Sequence, residues 1–388
     1  MFQVYGLSTT AREHVATASR IAAEIATPNA AAVDLQARFP SESIRALADA
    51  GLNGLCLPKS IGGKGEGMRA FAGVVEEIAG ACGSTAMIYV MHVAATQAIA
   101  TSSILASRDS ILGEIAAGRH LTTLAFSEAG SRSQFWAPIS KLEENNGNYL
   151  TSASKSWVTA AGHADSYVST AQKPDATSPL ESTVYFIRRH ADGVRVTSSF
   201  DGLGLRGNDS APVSLENLSV SRGDLISEPG EGPKVILEVV LPWFAIGTAA
   251  MANGLCRVAV QRTIEHLTSA GFEQDGSKLR DLPNLRARLA EMSVRTEQSR
   301  SLLGQTLDQI ENPSEVTPLF VLQSRLAALQ AAVDVTDLAM KTCGGAAFSR
   351  HLAIERLFRD ARAGWVMAPT VDHLNDFIGK ALTGLPLF

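Results

Sequence analysis

Residues 155–168 read KSWVTAAGHADSYV. Within this run, Ser156-Trp157-Val158-Thr159 reads as a strand. Side chains alternate along a strand, which predicts that Trp157 and Thr159 share one face. An indole with a hydroxyl two residues on can stack against a flat heteroaromatic ring and reach one of its ring atoms. The other use of such a tryptophan is to fill the core between two sheets.

The same character extends outward. From LTTLAF (Leu121 to Phe126) to about Leu225 the chain has short β-branched and aromatic runs, TVYFIRRH and GVRVTS among them, separated by NNGN, DGLG and RGND turns. This predicts a β domain, barrel or sandwich, over residues 121–228. Upstream, Thr10 to about Arg119 favours helix, with apolar residues at helical spacing (Ile44, Leu47, Ala48; Val74, Val75, Ile78). An all-helical N-terminal domain over residues 1–120 is expected. Its loop LPKSIGGKGEG (Leu57 to Gly67) is dense in glycine and must turn where backbone approaches something closely.

Helical periodicity returns from Gly232. RLAEMSVRTEQSRSLLGQTLDQI and VLQSRLAALQAAVDVTDLAMKTC predict long amphipathic helices, with Pro283, Pro313 and Pro369 at boundaries, in a C-terminal bundle over residues 229–388. The fold class is α+β, in the order helices, strands, helices. That order excludes a doubly wound parallel sheet, and neither GxGxxG nor a Walker-type loop is present.

The chain is long enough for two or three cores. Its 34 Lys plus Arg against 39 Asp plus Glu give a net charge of −5, without a basic run, which argues against nucleic acid. Charged residues make up 19%, below the roughly 25% of soluble domains, a shortfall suggesting extra buried surface as in an oligomer. MFQVYGLSTTAREHVATASR lacks the pattern of a secretory signal, so a cytoplasmic location is expected. Cys56, Cys82, Cys256 and Cys343 are far apart and read as buried thiols; no metal site is predicted. VILEVVLPWFAIGTAAMANGL (Val235 to Leu255) has the length of a membrane span, but Glu238, Pro242 and Asn253 fit better a helix buried within a bundle.

Four segments resemble those of acyl-CoA dehydrogenases: the Leu57–Gly67 loop, FSEAGSRSQ (Phe126 to Gln134), the 155–168 run, and CGGAAFSRHLAIERLFRDAR (Cys343 to Arg362). They occur in the family's order and at its intervals. The resemblance implies the family's three-part fold, ending in a four-helix bundle, and a flavin, FAD or FMN. It gives Trp157 and Thr159 to the flavin ring. Phe126, Ser127 and Ser133 become loop contacts, Ser127 near the pyrimidine and Ser133 nearer phosphate or substrate, although serines also cap turns. Gly344 and Gly345 would lie along the diphosphate and Thr370 near the adenosine end. Lys341 stands where the family has a glutamine. Arg359 and Asp360 read as structural ion pairs.

The resemblance also exposes a gap. The position of the usual catalytic glutamate is Ala368, and the alternative position, in PWFAIG around Trp243 to Ala245, has no carboxylate; Ala245 stands for the arginine usual nearby. The family's R..FG segment falls in FEQDG (Phe272 to Gly276), retaining only the glycine. A general base contributes about 10²–10⁴-fold, so ordinary dehydrogenation should be nearly silent. Apolar Phe244, Trp365, Met367 and Ala368 predict a dry pocket, as in relatives that hydroxylate small organic substrates with O₂ and reduced flavin from a separate reductase. The alternatives are an acyl-CoA or acyl-carrier-protein dehydrogenase with a relocated base or acting as a partner subunit, served by an electron-transfer partner, and a flavin-binding protein without turnover. His92 is the leading proton-transfer residue, with a hydrogen-bonded bundle histidine as its other reading, and Tyr89 lies on the same helix face. Tyr89, Arg132, Phe244 and Met367 are the expected substrate contacts. His163 reads as structural and Asp372 as a helix cap. A homotetramer or homodimer is implied.

Overall fold

The computed structural model describes residues 3–387. Six helices come first: α1 (Thr9–Ile21), which a wider π turn (Ala22–Ala26) joins to α2 (Thr27–Leu35), then α3 (Ser41–Asp49), α4 (Met68–Ala81), α5 (Gly83–Thr101) and α6 (Arg108–Ala116). Ser8 starts α1 by accepting the Ala11 amide on its hydroxyl. The small and β-branched residues of α4 and α5 are buried nearly end to end, so these two helices form the inner layer. The glycine-rich loop before α4 folds back on itself. A Cβ at Gly63 would stand 2.1 Å from the Leu57 carbonyl oxygen, so the close approach read from the sequence is to the loop's own backbone.

The strands follow: β1 (Thr122–Ala125), β2 (Glu143–Asn145), β3 (Asn148–Val158), β4 (Ser166–Gln172), β5 (Ser182–Arg188), β6 (Val194–Val196) and β7 (Ala211–Val220). They form a three-stranded sheet in the order β1-β4-β5, with β1 and β4 parallel, and an antiparallel sheet in the order β2-β3-β7-β6.

The C-terminal helices are α7 (Leu241–Ser269), entered through a π turn at Lys234–Val240, α8 (Pro283–Glu311), α9 (Thr317–Cys343), the short α10 (Gly345–Phe348), α11 (Ile354–Val366) and α12 (Val371–Thr383). The Lys234–Ser269 helix is long and apolar enough to span a membrane by length and composition. Its Phe244–Cys256 stretch is instead buried, packed against α4, α5, α8 and α9. Helix α12 is capped by Thr370, whose hydroxyl accepts the His373 amide, so the capping role expected of Asp372 falls two residues earlier. Three cysteines are buried and free, whereas Cys56 is half-buried.

The three parts are tied at one place. Arg359, on α11, holds Asp34 of α2 in a bidentate pair at 2.6 and 2.8 Å, and the next residue, Asp360, accepts the Leu205 amide of the β domain at 2.7 Å. Ser84 at the start of α5 accepts the Gly207 amide at 3.1 Å. A second tie joins Glu76 of α4 to Arg300 of α8, Arg257 of α7 and the Tyr5 hydroxyl.

Burial pushes the Asp360 carboxyl up to about 6, against the pull of the Leu205 amide and Arg356. A carboxyl more basic folded than unfolded contributes stability below its unfolded value of about 3.9, and loses it as pH rises through the folded value. Denaturant unfolding at stepped pH should show the wild type losing roughly 2–3 kcal/mol relative to Asp360→Asn between about pH 4 and pH 7.

Candidate functional site

A cleft of about 890 Å³ opens between the β domain, α5 and the C-terminal helices. The β domain supplies the 126–133 loop, Trp157, Thr159 and the 200–205 loop; α5 supplies Met87 and Met91; the bundle supplies Phe244, Met367 and Ala368. The lining is predominantly apolar with a few polar groups, the composition of a small-molecule site.

The polar wall rests on a buried ion pair. Lys155 of β3 places its ammonium 2.6 Å from Glu128 Oε1 and donates to the Thr170 carbonyl, with both charged side chains almost entirely out of solvent. Glu128 Oε2 also accepts the Ile139 and Ser140 amides at 2.7 and 2.8 Å. Burial works to raise the Glu128 pKa, but Lys155 and Ser140 outweigh it and hold the carboxyl below its ordinary value. Two backbone bonds, Ser156 N–H to the Ser127 carbonyl and Ala129 N–H to the Ser154 carbonyl, then lay the loop along the strand. Ser127 and Ser133 line the cleft, and among the described residues neither hydroxyl has a hydrogen-bond partner.

Trp157 and Thr159 both line the cleft, by a route other than simple alternation. Between Lys155 and Val158 strand β3 carries one more residue than β7 does between Val213 and Ala211, a bulge. Trp157 occupies it with φ of 59°, a left-handed conformation that costs a bulky residue roughly 1–3 kcal/mol. Thr159 lies just past the strand, its hydroxyl 3.0 Å from Ser210 Oγ. The bulge leaves the indole 69% exposed, edge-on to Phe200. An exposed indole face, two unpartnered hydroxyls and a cleft of this volume fit a tricyclic ring such as isoalloxazine.

Phe126, Ser127, Arg132, Ser133, Trp157, Thr159, Phe244, Met367 and Ala368 are thus brought together. Other expected residues lie elsewhere. His92 is fully buried outside the cleft: Nδ1 accepts the Thr122 amide at 3.1 Å and Nε2 faces the Asn53 carbonyl at 3.3 Å, which sets a neutral ring with both nitrogens engaged. Burial pushes its pKa down to about 4. It stitches α5 to β1, and the expected proton-transfer role has no access to substrate. Tyr89 is likewise buried, donating to the Leu52 carbonyl at 2.8 Å. Trp365 is half exposed outside the cleft, where Val366 lines the wall instead. His163 stacks on Phe39 at 3.9 Å. Lys341 pairs with Asp337 at 2.6 Å, and Lys341, Gly344 and Gly345 stand off the cleft on the outer side of the bundle. The Thr370 hydroxyl is engaged as the α12 cap.

The cleft-lining carboxylates among the described residues are Glu128, locked in its ion pair, and Asp201, on the 200–205 loop with its side chain 91% exposed. The sequence reading missed that loop, because DGLG carries only a turn signal. It also missed Met87 and Met91, which look like any apolar helix residues.

Models of the acyl-CoA dehydrogenase N-terminal, middle and C-terminal domains match residues 8–119, 123–218 and 230–382. The probable acyl-CoA dehydrogenase YngJ of Bacillus subtilis is 25% identical over 343 residues, covering 86% of this chain and 88% of that protein. The mitochondrial short-chain specific acyl-CoA dehydrogenase of Bos taurus is 25% identical over 340 residues, covering 86% and 81%. Among solved structures, butyryl-CoA dehydrogenase from Megasphaera elsdenii superposes with a TM-score of 0.92 at 20% identity, covering 97% of this chain and 99% of that one.

Removing one partner of a buried ion pair costs about 3–5 kcal/mol. Lys155→Met should therefore destabilise the protein by that order in denaturant unfolding and lower its flavin content. The double variant Lys155→Met/Glu128→Gln should recover part of both losses.

Proposed function

The chain belongs to the acyl-CoA dehydrogenase superfamily of flavin-dependent oxidoreductases, and we propose that it is an FAD-dependent dehydrogenase of an acyl thioester whose proton acceptor stands away from the family's usual position. The observation that carries this reading is the meeting, in one cleft, of Ser127, Ser133, Trp157 and Thr159 with the apolar Phe244, Met367 and Ala368. Trp157 would stack on the flavin ring, Thr159 and Ser127 would hydrogen-bond its edge, and Ser133 would serve the phosphate side. FAD, when bound, supplies acceptance of a hydride from the substrate's β-carbon. The methionines of α5 with Phe244 and Met367 enclose the acyl chain and exclude water.

Ala368 cannot accept the α-proton, and Glu128 is committed to Lys155. Asp201 is the remaining carboxylate of the cleft among the described residues, and we assign it the proton-accepting role. The apolar set Phe244, Met367 and Ala368, on which the expectation of oxygen transfer rests, serves equally to enclose an acyl chain, and the relatives named above are dehydrogenases. Lys341, Gly344 and Gly345 stand off their own cleft, so contact with a flavin requires that of a second copy, in keeping with an oligomer. An electron-transfer partner would reoxidise the flavin.

The test is anaerobic bleaching of the flavin by saturated acyl thioesters. Wild type should bleach slowly, Asp201→Asn more slowly still, and Ala368→Glu faster than wild type by roughly 10²–10⁴-fold, the usual contribution of a positioned base. Absence of bleaching in both wild type and Ala368→Glu, together with substrate-dependent oxygen uptake by the reduced protein, would replace dehydrogenation with oxygen transfer.

A further inference from the structure

Arg325, on α9, is the bulkiest fully buried side chain among the described residues, with 0% of its surface exposed. Nε donates to Thr248 Oγ1 at 3.2 Å and Nη2 to the Met367 carbonyl at 3.1 Å, while the guanidinium lies over the Phe244 ring at 4.8 Å. Nη1 is buried and, among the described residues, has no partner. Nor, among the described residues, is there a counter-ion. Burial alone pulls the pKa down, to about 9, with no acidic group acting against it, and at neutral pH the charge is retained. Its neighbours one turn away on α9, Leu322, Ala328 and Leu329, are buried and apolar, as are Ala245 and Ala249 of α7 beside Thr248. The bundle interior therefore offers nothing to neutralise it, and a buried unpaired cation is among the costliest groups a fold can carry.

The Phe244 ring over which the guanidinium lies, and Met367, whose main-chain carbonyl it holds, are both part of the cleft wall. Arg325 stands behind that wall rather than in the lining, so a counter-charge coming from the cleft would have to pass between these two residues. The field there favours an anion. Arg132 lines the cleft with no ion pair or hydrogen bond among the described residues, Glu128 is neutralised by Lys155, and Asp201 is offset by Arg206 at 3.4 Å.

We propose that Arg325 is the specificity-determining residue of this cleft and that the acyl group it selects ends in a carboxylate, which takes up Nη1 by entering between Phe244 and Met367. The inference rests on the thioester reading above and narrows its substrate to acyl groups that carry a negative charge at the far end. The carboxylate supplies the acceptor that Nη1 lacks and the counter-charge that the bundle lacks, in a charge-assisted hydrogen bond within an apolar wall. An uncharged acyl end would leave both deficits in place.

The experiment is calorimetric titration of the oxidised holoenzyme with S-adipoyl- and S-hexanoyl-phosphopantetheine, matched in carbon count and differing at the terminal group. Wild type should bind the adipoyl thioester roughly tenfold to a hundredfold more tightly, the worth of one charge-assisted hydrogen bond. Arg325→Lys should keep part of that preference, and Arg325→Met and Arg325→Gln should reduce it to about twofold or less. Equal affinity of the wild type for the two thioesters overturns the proposal, as does a preference that survives Arg325→Met or Arg325→Gln. A merely structural arginine would change the melting temperature of the variants and leave the ratio alone. If neither thioester binds the wild type, the thioester reading itself falls and this inference with it.

Discussion

The polar half of the cleft depends on Lys155 and Glu128. Two opposite charges taken out of water favour the folded state only if nearly every donor and acceptor is met. Here the ammonium has the Glu128 carboxylate and the Thr170 carbonyl, and the carboxylate has the ammonium, two amides and the Ser140 hydroxyl. The geometry leaves little freedom. It fixes the 126–133 loop against β3, and with it the height at which Ser127, Ser133 and Trp157 stand over the cleft. The bulge at Trp157 holds a left-handed tryptophan that an isolated strand would release, and the adjacent ion pair anchors the strand beside it.

The fold was legible because its signals are additive. Helical spacing in Val74, Val75 and Ile78, turn-separated β-branched runs from Leu121, and the return of helix after Gly232 each report on many residues at once. The site was legible only in part. Trp157 and Thr159 reach the cleft, but through a bulge that alternation does not contain. The tie between Glu128 and Lys155 spans 27 positions and leaves no local pattern. His92 and Tyr89 have the chemistry and helical phase of pocket residues, yet the carbonyls of Leu52 and Asn53 and the amide of Thr122 claim them. A buried backbone group needing a partner competes with function for the same side chains, and sequence does not show which one wins. Asp201 went unread for the opposite reason: a turn brings it to the cleft, and turns advertise conformation rather than destination.

Holding the ring and enclosing the substrate fall largely to different parts of the chain. The groups suited to hold a flat ring come from the β domain and share one rigid support. The groups that enclose the substrate beside the ring come from α5 and from the bundle, at Phe244 and at the turn after α11, whereas the proton acceptor proposed above, Asp201, comes from the 200–205 loop. Ala368 lies on that second side, so loss of a carboxylate there leaves the first side undisturbed. The buried guanidinium behind Phe244 and Met367 belongs to the second side as well.

Arg359 and Asp360 are consecutive on one helix, yet each answers to a different part of the chain: Asp34 in the first helices and Leu205 in the sheets. Neither the N-terminal layer nor the β layer can drift from α11 without giving up a buried carboxylate's partner. The spacing between the walls is therefore gauged by main-chain and carboxylate geometry at the edge of the lining, where Arg359 and Leu205 both stand. Lineages can rewrite the lining one residue at a time while the aperture keeps its calibre, and a scaffold of that kind can exchange one chemistry for another without first having to refold.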